Sequence, residues 1–444
     1  MSENLDTIAA IATASGKGAI GIVKISGASS LDIAKIITRK ELSPRQARYT
    51  PFYNAQGVTV DHGLAIYFKG PDSYTGEDVL ELQSHGNHVL LDQLLQAATR
   101  AGARAARPGE FTERAFLNNK IDLAQAEAVS DLIQASTAEA ASAAVRSLQG
   151  EFSEKVTAIR DQLLNCRVYI ESALDFAEEE IDFLKDNELA ERFAALNKSV
   201  EQLLLRSHEG ALLRDGISIV IAGLPNVGKS SLLNRLTSQD TAIVTDIAGT
   251  TRDVLREKIN LDGMPIHIVD TAGLRSSDDP IEQEGVRRAH DQISQADRIL
   301  FVVEAGKTPE PSLLAELPKH VPQTIVINKS DLQKDILPDE NNIVVSAKNG
   351  KGIDTLREHL KLCAGFEKTS EGALMARSRH IEALNKAQQN IKDAHTNLVS
   401  MGAGELAAEE LRLAQDQVNQ ITGEFTSDDL LCLLYTSPSP RDRG

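Results

Sequence analysis

The sequence predicts a multidomain protein of the α/β plus α class. Three observations carry that expectation. The chain has 444 residues, enough for roughly three domains of about 150 residues. Its texture changes twice, from β-rich runs punctuated by Gly and Pro, to Ala/Leu/Glu/Gln-rich helix formers, to strands alternating with helices. The helix-forming texture then returns after the alternating stretch. The economical arrangement is an N-terminal α/β domain over 1–118, a discontinuous helical domain over 119–213 and 366–431, and a doubly wound domain over 214–365 inserted into it. The 432–444 tail lacks any helical period and is expected to be disordered.

The elements follow in order. Ala19–Ile25 and Gly63–Phe68 read as strands, and Leu80–Thr99 reads as a helix carrying Leu at helical spacing. Residues 121–213 have almost no Gly and no Pro, so long helices are expected there. The run Glu178, Glu179, Glu180 reads as solvated helix surface or a helix start. Ile217–Ala222 is a continuous apolar run, as in a buried parallel strand. Lys258–Leu261 and Pro265–Val269 flank Asp262-Gly263, a hairpin signal. Ile299–Val303, Thr324–Ile327 and Ile343–Val345 supply further strands.

Composition narrows the function classes. Acids outnumber bases 64 to 47, a net charge of −17, which argues against coating nucleic acid by phosphate neutralisation. Aromatics make up 4% and Trp is absent, so a stacking platform for single strands is not expected. The three cysteines, Cys166, Cys363 and Cys432, form no C-x-x-C, which fits a reducing compartment better than a disulfide framework. No apolar run approaches the ~20 residues of a membrane span, and residues 1–6 lack a signal pattern. A cytoplasmic protein without membrane insertion is the expectation. His85 and His88, in His85-Gly86-Asn87-His88, read as a hydrogen-bonded turn rather than a metal pair.

The chemistry lies in the inserted domain. Gly223-Leu224-Pro225-Asn226-Val227-Gly228-Lys229-Ser230 is a full G-x-x-x-x-G-K-S, preceded by a strand and followed by an apolar helix pattern. Its glycines let the backbone wrap phosphates, and successive N–H groups form an anion nest at a helix N-terminus. Lys229 is expected on the β- and γ-phosphates and Ser230 on Mg²⁺, with Asn226, Val227, Gly228 and Ser231 completing the cradle.

Further motifs arrive in the order such a domain needs. Asp246–Asp253 reads DIAGTTRD, in which Thr250 or Thr251 is expected to bind Mg²⁺ and sense the γ-phosphate. Asp270-Thr271-Ala272-Gly273 is a D-x-x-G, with Asp270 in the Mg²⁺ shell and the Gly273 N–H on the γ-phosphate. Asn328-Lys329-Ser330-Asp331 is an N-K-x-D. Its carboxylate accepts two hydrogen bonds from the guanine edge, a donor pair that adenine lacks. Ser346-Ala347-Lys348 follows another strand and backs the base. The implied domain is a Ras-like P-loop GTPase. The residue after D-x-x-G is Leu274, which cannot orient a water as the Gln of Ras does. Arg252 and Arg275 are near in sequence, but neither is identifiable as an arginine finger.

These motifs and their flanks resemble the MnmE (TrmE) family of bacterial tRNA modification GTPases over about residues 4–431. The distinctive flanks are Pro71–Glu81 (PDSYTGEDVLE), His85-Gly86, Arg107–Leu123 (RPGEFTERAFLNNKIDL), Gln125–Ile133 (QAEAVSDLI) and Ile421–Leu431 (ITGEFTSDDLL). The resemblance implies that the N-terminal domain is folate-binding-like and forms the homodimer. Lys24, Glu81 and Lys120 match the family's contacts to a tetrahydrofolate derivative, 5-formyl- or methylene-tetrahydrofolate. The family commonly carries Arg where this chain has Lys24, so that contact loses the guanidinium fork.

The resemblance also implies a bound K⁺, with Asn226, Thr245, Ile247 and Thr250 as ligands, and a water oriented by Glu282. The nucleotide loop then comprises Thr245, Asp246, Ile247, Ala248, Gly249, Thr250 and Thr251. Ser230 and Thr251 are the expected Mg²⁺ ligands, and Lys229, Thr251, Asp270, Gly273 and Glu282 the expected catalytic set. The implied reaction is modification at C5 of the wobble uridine of certain tRNAs, giving aminomethyl or carboxymethylaminomethyl products. It is carried out with the FAD-containing partner MnmG (GidA) in a heterotetramer. The family ends in Cys-x-Gly-Lys, whereas this chain ends LLCLLYTSPSPRDRG, so GTP hydrolysis is expected to survive and modification to be impaired. Two other readings remain open: a GTPase switch in ribosome assembly, and a folate-dependent aminomethyltransferase-like protein with a GTPase insert.

Overall fold

The computed structural model describes residues 6–175, 187–238, 256–270, 293–333, 342–366 and 372–423. Contacts divide the chain into two compact units, Met1–Val129 with Thr422–Gly444, and Ser130–Ile421. No described helix is long and apolar enough to cross a membrane.

The first unit is built on a six-stranded sheet. Its strands are β1 (Ile8–Ile11), β2 (Gly18–Ser26), β3 (Arg48–Tyr53), β4 (Thr59–Phe68), β5 (Val79–Gly86) and β6 (Arg104–Ala105), in the order β3-β4-β5-β2-β1-β6. Among the described strands of this sheet, β1 and β6 pair in parallel and the other neighbours antiparallel. Helices α1 (Ser30–Thr38) and α2 (His88–Arg100) contribute Ile33, Ile37, Leu91 and Leu94 to a core shared with Val23, Ile25, Leu80 and Leu82 of the sheet. Helix α3 (Glu110–Leu117) follows β6.

The stretch Leu80–Thr99 is not one helix. Residues 79–86 form a strand, in which buried Leu80, Leu82 and Ser84 alternate with more exposed Glu81, Gln83 and His85. The helix starts only after Asn87, whose side chain accepts the N–H of Val89 at 2.9 Å as its N-cap. His85 and His88 therefore fall on different elements. His85 Nδ1 lies 3.0 Å from Asp61.

A buried charge network ties the unit together. Arg114 on α3 is 1% exposed. Its guanidinium donates to the Asp6 carbonyl at 2.7 Å, to Glu77 at 3.1 Å and to Glu110 at 3.2 Å. Burial pushes the Glu110 carboxyl up, but hydrogen bonds from Arg104, the Arg107 N–H and Arg114 outweigh it and hold the group below its ordinary value.

Helix α4 spans Leu123–Gln134. The second unit takes in its last turn and helices α5 (Ala138–Leu148), α6 (Glu151–Asp175) and α7 (Asn187–Asp215). Strand β7 (Ile217–Ala222), helix α8 (Lys229–Ser238) and the strands β8 (Arg256–Leu261), β9 (Met264–Asp270) and β10 (Arg298–Glu304) follow. Next come α9 (Pro311–Glu316), β11 (Gln323–Asn328), β12 (Asn342–Val344) and α10 (Ile353–Ala364). The order β12-β11-β10-β7-β9-β8 is parallel except for the β8–β9 hairpin. That hairpin turns at Asp262-Gly263, both with positive φ, as its sequence signal requires. Strand β12 ends one residue before the expected Val345, whose N–H still donates to Ile327 at 2.8 Å.

Helices α11 (Ser378–Met401) and α12 (Gly404–Thr422) complete the unit. Phe193 of α7 meets His395 of α11 edge-on at 5.3 Å, and Phe152 of α6 lies 5.1 Å from His380 of α11. Arg167 of α6 donates to Gln415 of α12 at 2.9 Å. Helices before and after the sheet thus pack on one another. The Glu178–Glu180 run and the 432–444 tail lie outside the described residues.

Candidate functional site

The G-x-x-x-x-G-K-S segment leaves the C-terminal end of β7, between β9 and β10, where an open α/β sheet presents its ligand crevice. Gly223 has φ +140°, and a Cβ there would lie 2.3 Å from the Val302 carbonyl oxygen. Gly228 has φ +95°, and its Cβ would lie 2.4 Å from Asn328 Nδ2. Only glycine permits both the conformation and the approach. Lys229 opens α8, and its ammonium donates to the carbonyls of Gly223 at 2.8 Å and Leu224 at 3.1 Å, spanning the loop. Ser230 and Ser231 follow in the first helical turn, where the helix dipole favours an anion.

The N-K-x-D side is held to this loop by a buried hydrogen bond. Asn328, 1% exposed at the end of β11, donates to the Val227 carbonyl at 2.9 Å and accepts the Ala347 N–H at 3.0 Å. Asp331 accepts the Ser346 hydroxyl at 2.6 Å. That bond, with Lys348 and Lys329 nearby, holds the Asp331 carboxyl below its ordinary range, so it stands ionised as an acceptor. Lys329 Nζ lies 3.4 Å from Glu304. A cavity of about 710 Å³ opens here, lined by Gly228, Ser231, Asn328, Lys329, Asp331, Ala347 and Lys348. Residues separated by more than a hundred positions thus converge on one crevice.

Asp270 ends β9, with its backbone in register with Ile221 of β7, next to the phosphate loop. Thr245, Asp246, Ile247, Ala248, Gly249, Thr250, Thr251, Thr271, Ala272, Gly273 and Glu282 lie outside the described residues. So do Arg252, Leu274 and Arg275.

The three expected folate contacts gather in the first unit. Lys24 of β2 sits directly opposite Glu81 of β5, with Nζ 3.6 Å from the carboxylate. The Lys24 ammonium also lies 4.8 Å from the Tyr74 ring centroid and 5.9 Å from that of Phe111. Lys120 donates to the Pro71 carbonyl at 2.9 Å, on the loop that carries Tyr74. A carboxylate with a cation and aromatic walls suits a flat heterocycle with paired N–H donors.

Sequence reasoning missed several of these residues. Tyr74 and Phe111 stand in segments quoted for their resemblance, without a role for their rings. Asn234, Arg235 and Leu332 also line the cavity. Asn234 and Arg235 lie three and four positions after Ser231, hence on its helix face, and that spacing was the available signal.

A family model described as the MnmE helical domain matches residues 123–436, and one described as the GTP-binding protein TrmE N-terminus matches residues 7–120. The protein named tRNA modification GTPase MnmE of Ectopseudomonas mendocina (strain ymp) is 51% identical over 451 residues, covering 98% of this chain and 99% of that one. The protein of the same name from Photobacterium profundum is 50% identical over 450 residues, with the same coverage. That of Pectobacterium carotovorum subsp. carotovorum (strain PC1) is 51% identical over 447 residues, covering 98% of each chain. With half the residues shared over nearly the full length, the chain belongs to the MnmE family, whose members bear the name tRNA modification GTPase.

Proposed function

We propose that this chain hydrolyses GTP and that the cycle serves tRNA modification, the role in its relatives' name. The observation that carries the reading is the ionised Asp331, fixed by Ser346 beside a phosphate loop to which Asn328 is bonded. A carboxylate there pairs with the guanine edge and would be left unpaired beside adenine. Lys229 holds the β- and γ-phosphates, Asp270 and Thr251 the metal shell, and the Gly273 N–H the γ-phosphate, while Glu282 orients the attacking water.

Two ions complete this reading. Ser230, in the first turn of a helix directly after Lys229, would hold Mg²⁺, which would supply positive charge to the phosphates. Asn226, exposed and with φ +64°, offers a neutral side-chain oxygen suited to K⁺, with Thr245, Ile247 and Thr250 as the remaining ligands. K⁺ there supplies the positive charge that an arginine finger brings elsewhere.

The modification half rests on the Lys24–Glu81 pair with Lys120, as the contact set for a 5-formyl- or methylene-tetrahydrofolate donor. The one-carbon unit ends as the methylene on C5 of the wobble uridine, joined to an amine co-substrate, ammonia or glycine, to give the aminomethyl or carboxymethylaminomethyl group. The FAD protein MnmG (GidA) is the partner, in a cytoplasmic heterotetramer built on a homodimer of this chain. Exposed Ile20, Tyr49 and Leu64 on the sheet of the first unit support a homodimer through that unit. The net charge of −17 supports a partner that supplies much of the tRNA-binding surface.

Phosphate release from GTP in KCl and in NaCl tests the nucleotide half. Faster release in KCl is expected, and equal rates would remove K⁺ from the account. Nucleoside analysis of tRNA from a deletion strain tests the other half. Hypomodified wobble uridines are expected, whereas normal uridines with unjoined ribosomal subunits would favour a ribosome-assembly switch.

A further inference from the structure

Arg235 belongs to none of the nucleotide motifs, yet it touches the machinery that reads the base. It lies on α8, the helix that begins at Lys229, and lines the cavity together with Asp331 and Lys348. Its guanidinium lies across Gly350. A Cβ on that glycine would stand 2.5 Å from Arg235 Nη2 and 3.3 Å from both Cζ and Nε. Gly350 closes the turn that carries the base-backing residues. Its N–H donates to the Ser346 carbonyl at 2.8 Å, and the Ser346 N–H donates to the Lys351 carbonyl at 2.8 Å. Within that turn the Ser346 hydroxyl holds Asp331, and the Ala347 N–H is bonded to Asn328. One line of contact therefore runs from the phosphate-binding helix, through Arg235 and Gly350, to the carboxylate that faces guanine.

We infer that Arg235 is a positioning residue for guanine recognition: its guanidinium braces the Ser346–Lys351 turn and so fixes the Asp331 carboxylate. The inference rests on the guanine-nucleotide reading of the cavity. The planar guanidinium is what suits the role. It is rigid and wide enough to lie along a side-chain-free residue, whereas a lysine ammonium on a flexible stem is not. Asp331 meets the exocyclic amine and N1–H of guanine together, so a carboxylate that drifts loses the amine bond that distinguishes guanosine from inosine nucleotides.

The test compares GDP and IDP, which lacks the exocyclic amine, by equilibrium titration of the full chain in Mg²⁺. Arg235→Ala is expected to narrow the GDP-to-IDP affinity ratio by about fivefold, the weight of one hydrogen bond. Arg235→Lys, which keeps the charge and much of the bulk, is expected to narrow it nearly as far. Adding Ser346→Ala to Arg235→Ala is expected to cost less than the two single losses combined, because both act through Asp331. An unmoved ratio in both Arg235 variants would overturn the inference, as would equal losses for GDP and IDP, which mark a general electrostatic or folding effect. A wild-type chain with no preference for GDP over ADP would instead bring down the guanine reading itself, and this inference with it.

Discussion

Asn328 Nδ2 donates to the Val227 carbonyl at 2.9 Å, and this bond joins the N-K-x-D motif to the G-x-x-x-x-G-K-S loop. Its other face accepts the Ala347 N–H, so one buried amide orders three segments that are remote in sequence. Gly228 lies under the same side chain, which is why a Cβ there would collide with it. The G-x-x-x-x-G-K-S and N-K-x-D sides of the crevice are one packed structure.

Removing that amide is predicted to cost both stability and nucleotide binding. Asn328→Ala leaves the buried Val227 carbonyl and Ala347 N–H unpaired, a loss of about 1–3 kcal/mol. Titration with GDP is expected to show affinity reduced by roughly tenfold or more. Unchanged affinity would mean that the two halves are ordered by something else.

Asp331 is predicted to set the identity of the base. Asp331→Asn exchanges an acceptor for a group that can donate to the 2-oxygen of xanthine. Competition titration is expected to show GDP affinity falling by at least about tenfold and XDP affinity rising above it. Continued preference for GDP would place base recognition elsewhere.

Arg114 anchors the first unit. It is 1% exposed, and Arg114→Ala removes its hydrogen bonds to Glu77 and Glu110 together, leaving Glu110 to Arg104 and the Arg107 N–H. The expected loss is about 1–3 kcal/mol, read as a lowered urea midpoint of the full chain. A change of a few tenths would mean that Glu110 finds Arg104 sufficient.

Asp61 gives the same unit an acid-sensitive element. Burial pushes its carboxyl up, but hydrogen bonds from Ser84, from the His85 and His62 backbones and from the His85 ring outweigh it and hold the group well below the usual carboxylate range. The folded state therefore resists protonation more than the unfolded chain, whose value is near 3.8. The stabilisation is present above that pH and is lost as pH falls through the folded value. Hydrogen exchange of the β4–β5 amides is expected to show Asp61→Asn less protected at pH 7, with the gap to wild type shrinking in acid. A gap independent of pH would contradict the assignment.

The nucleotide half was legible because its signals are local. A buried apolar strand, a fixed glycine–lysine spacing and an amphipathic helix follow one another within 22 residues, from Ile217 to Ser238. The Leu80–Thr99 stretch misled because Leu80, Leu91 and Leu94 fit one helical period, although Asn87 marks the true helix boundary. Strand β3 carries Pro51, which hides a strand in sequence and is tolerated at the sheet edge where β3 lies. The Lys24–Glu81 pairing depends on strand register, and the Arg235–Gly350 contact on tertiary packing, so neither has a local signature.

Phosphate release from GTP and from ATP, measured side by side on the purified chain in Mg²⁺ and KCl with Lys229→Ala as control, tests the central claim most directly. The account predicts release from GTP, almost none from ATP, and loss of activity in the variant. Equal release from both nucleotides, or an undiminished rate in Lys229→Ala, would contradict it.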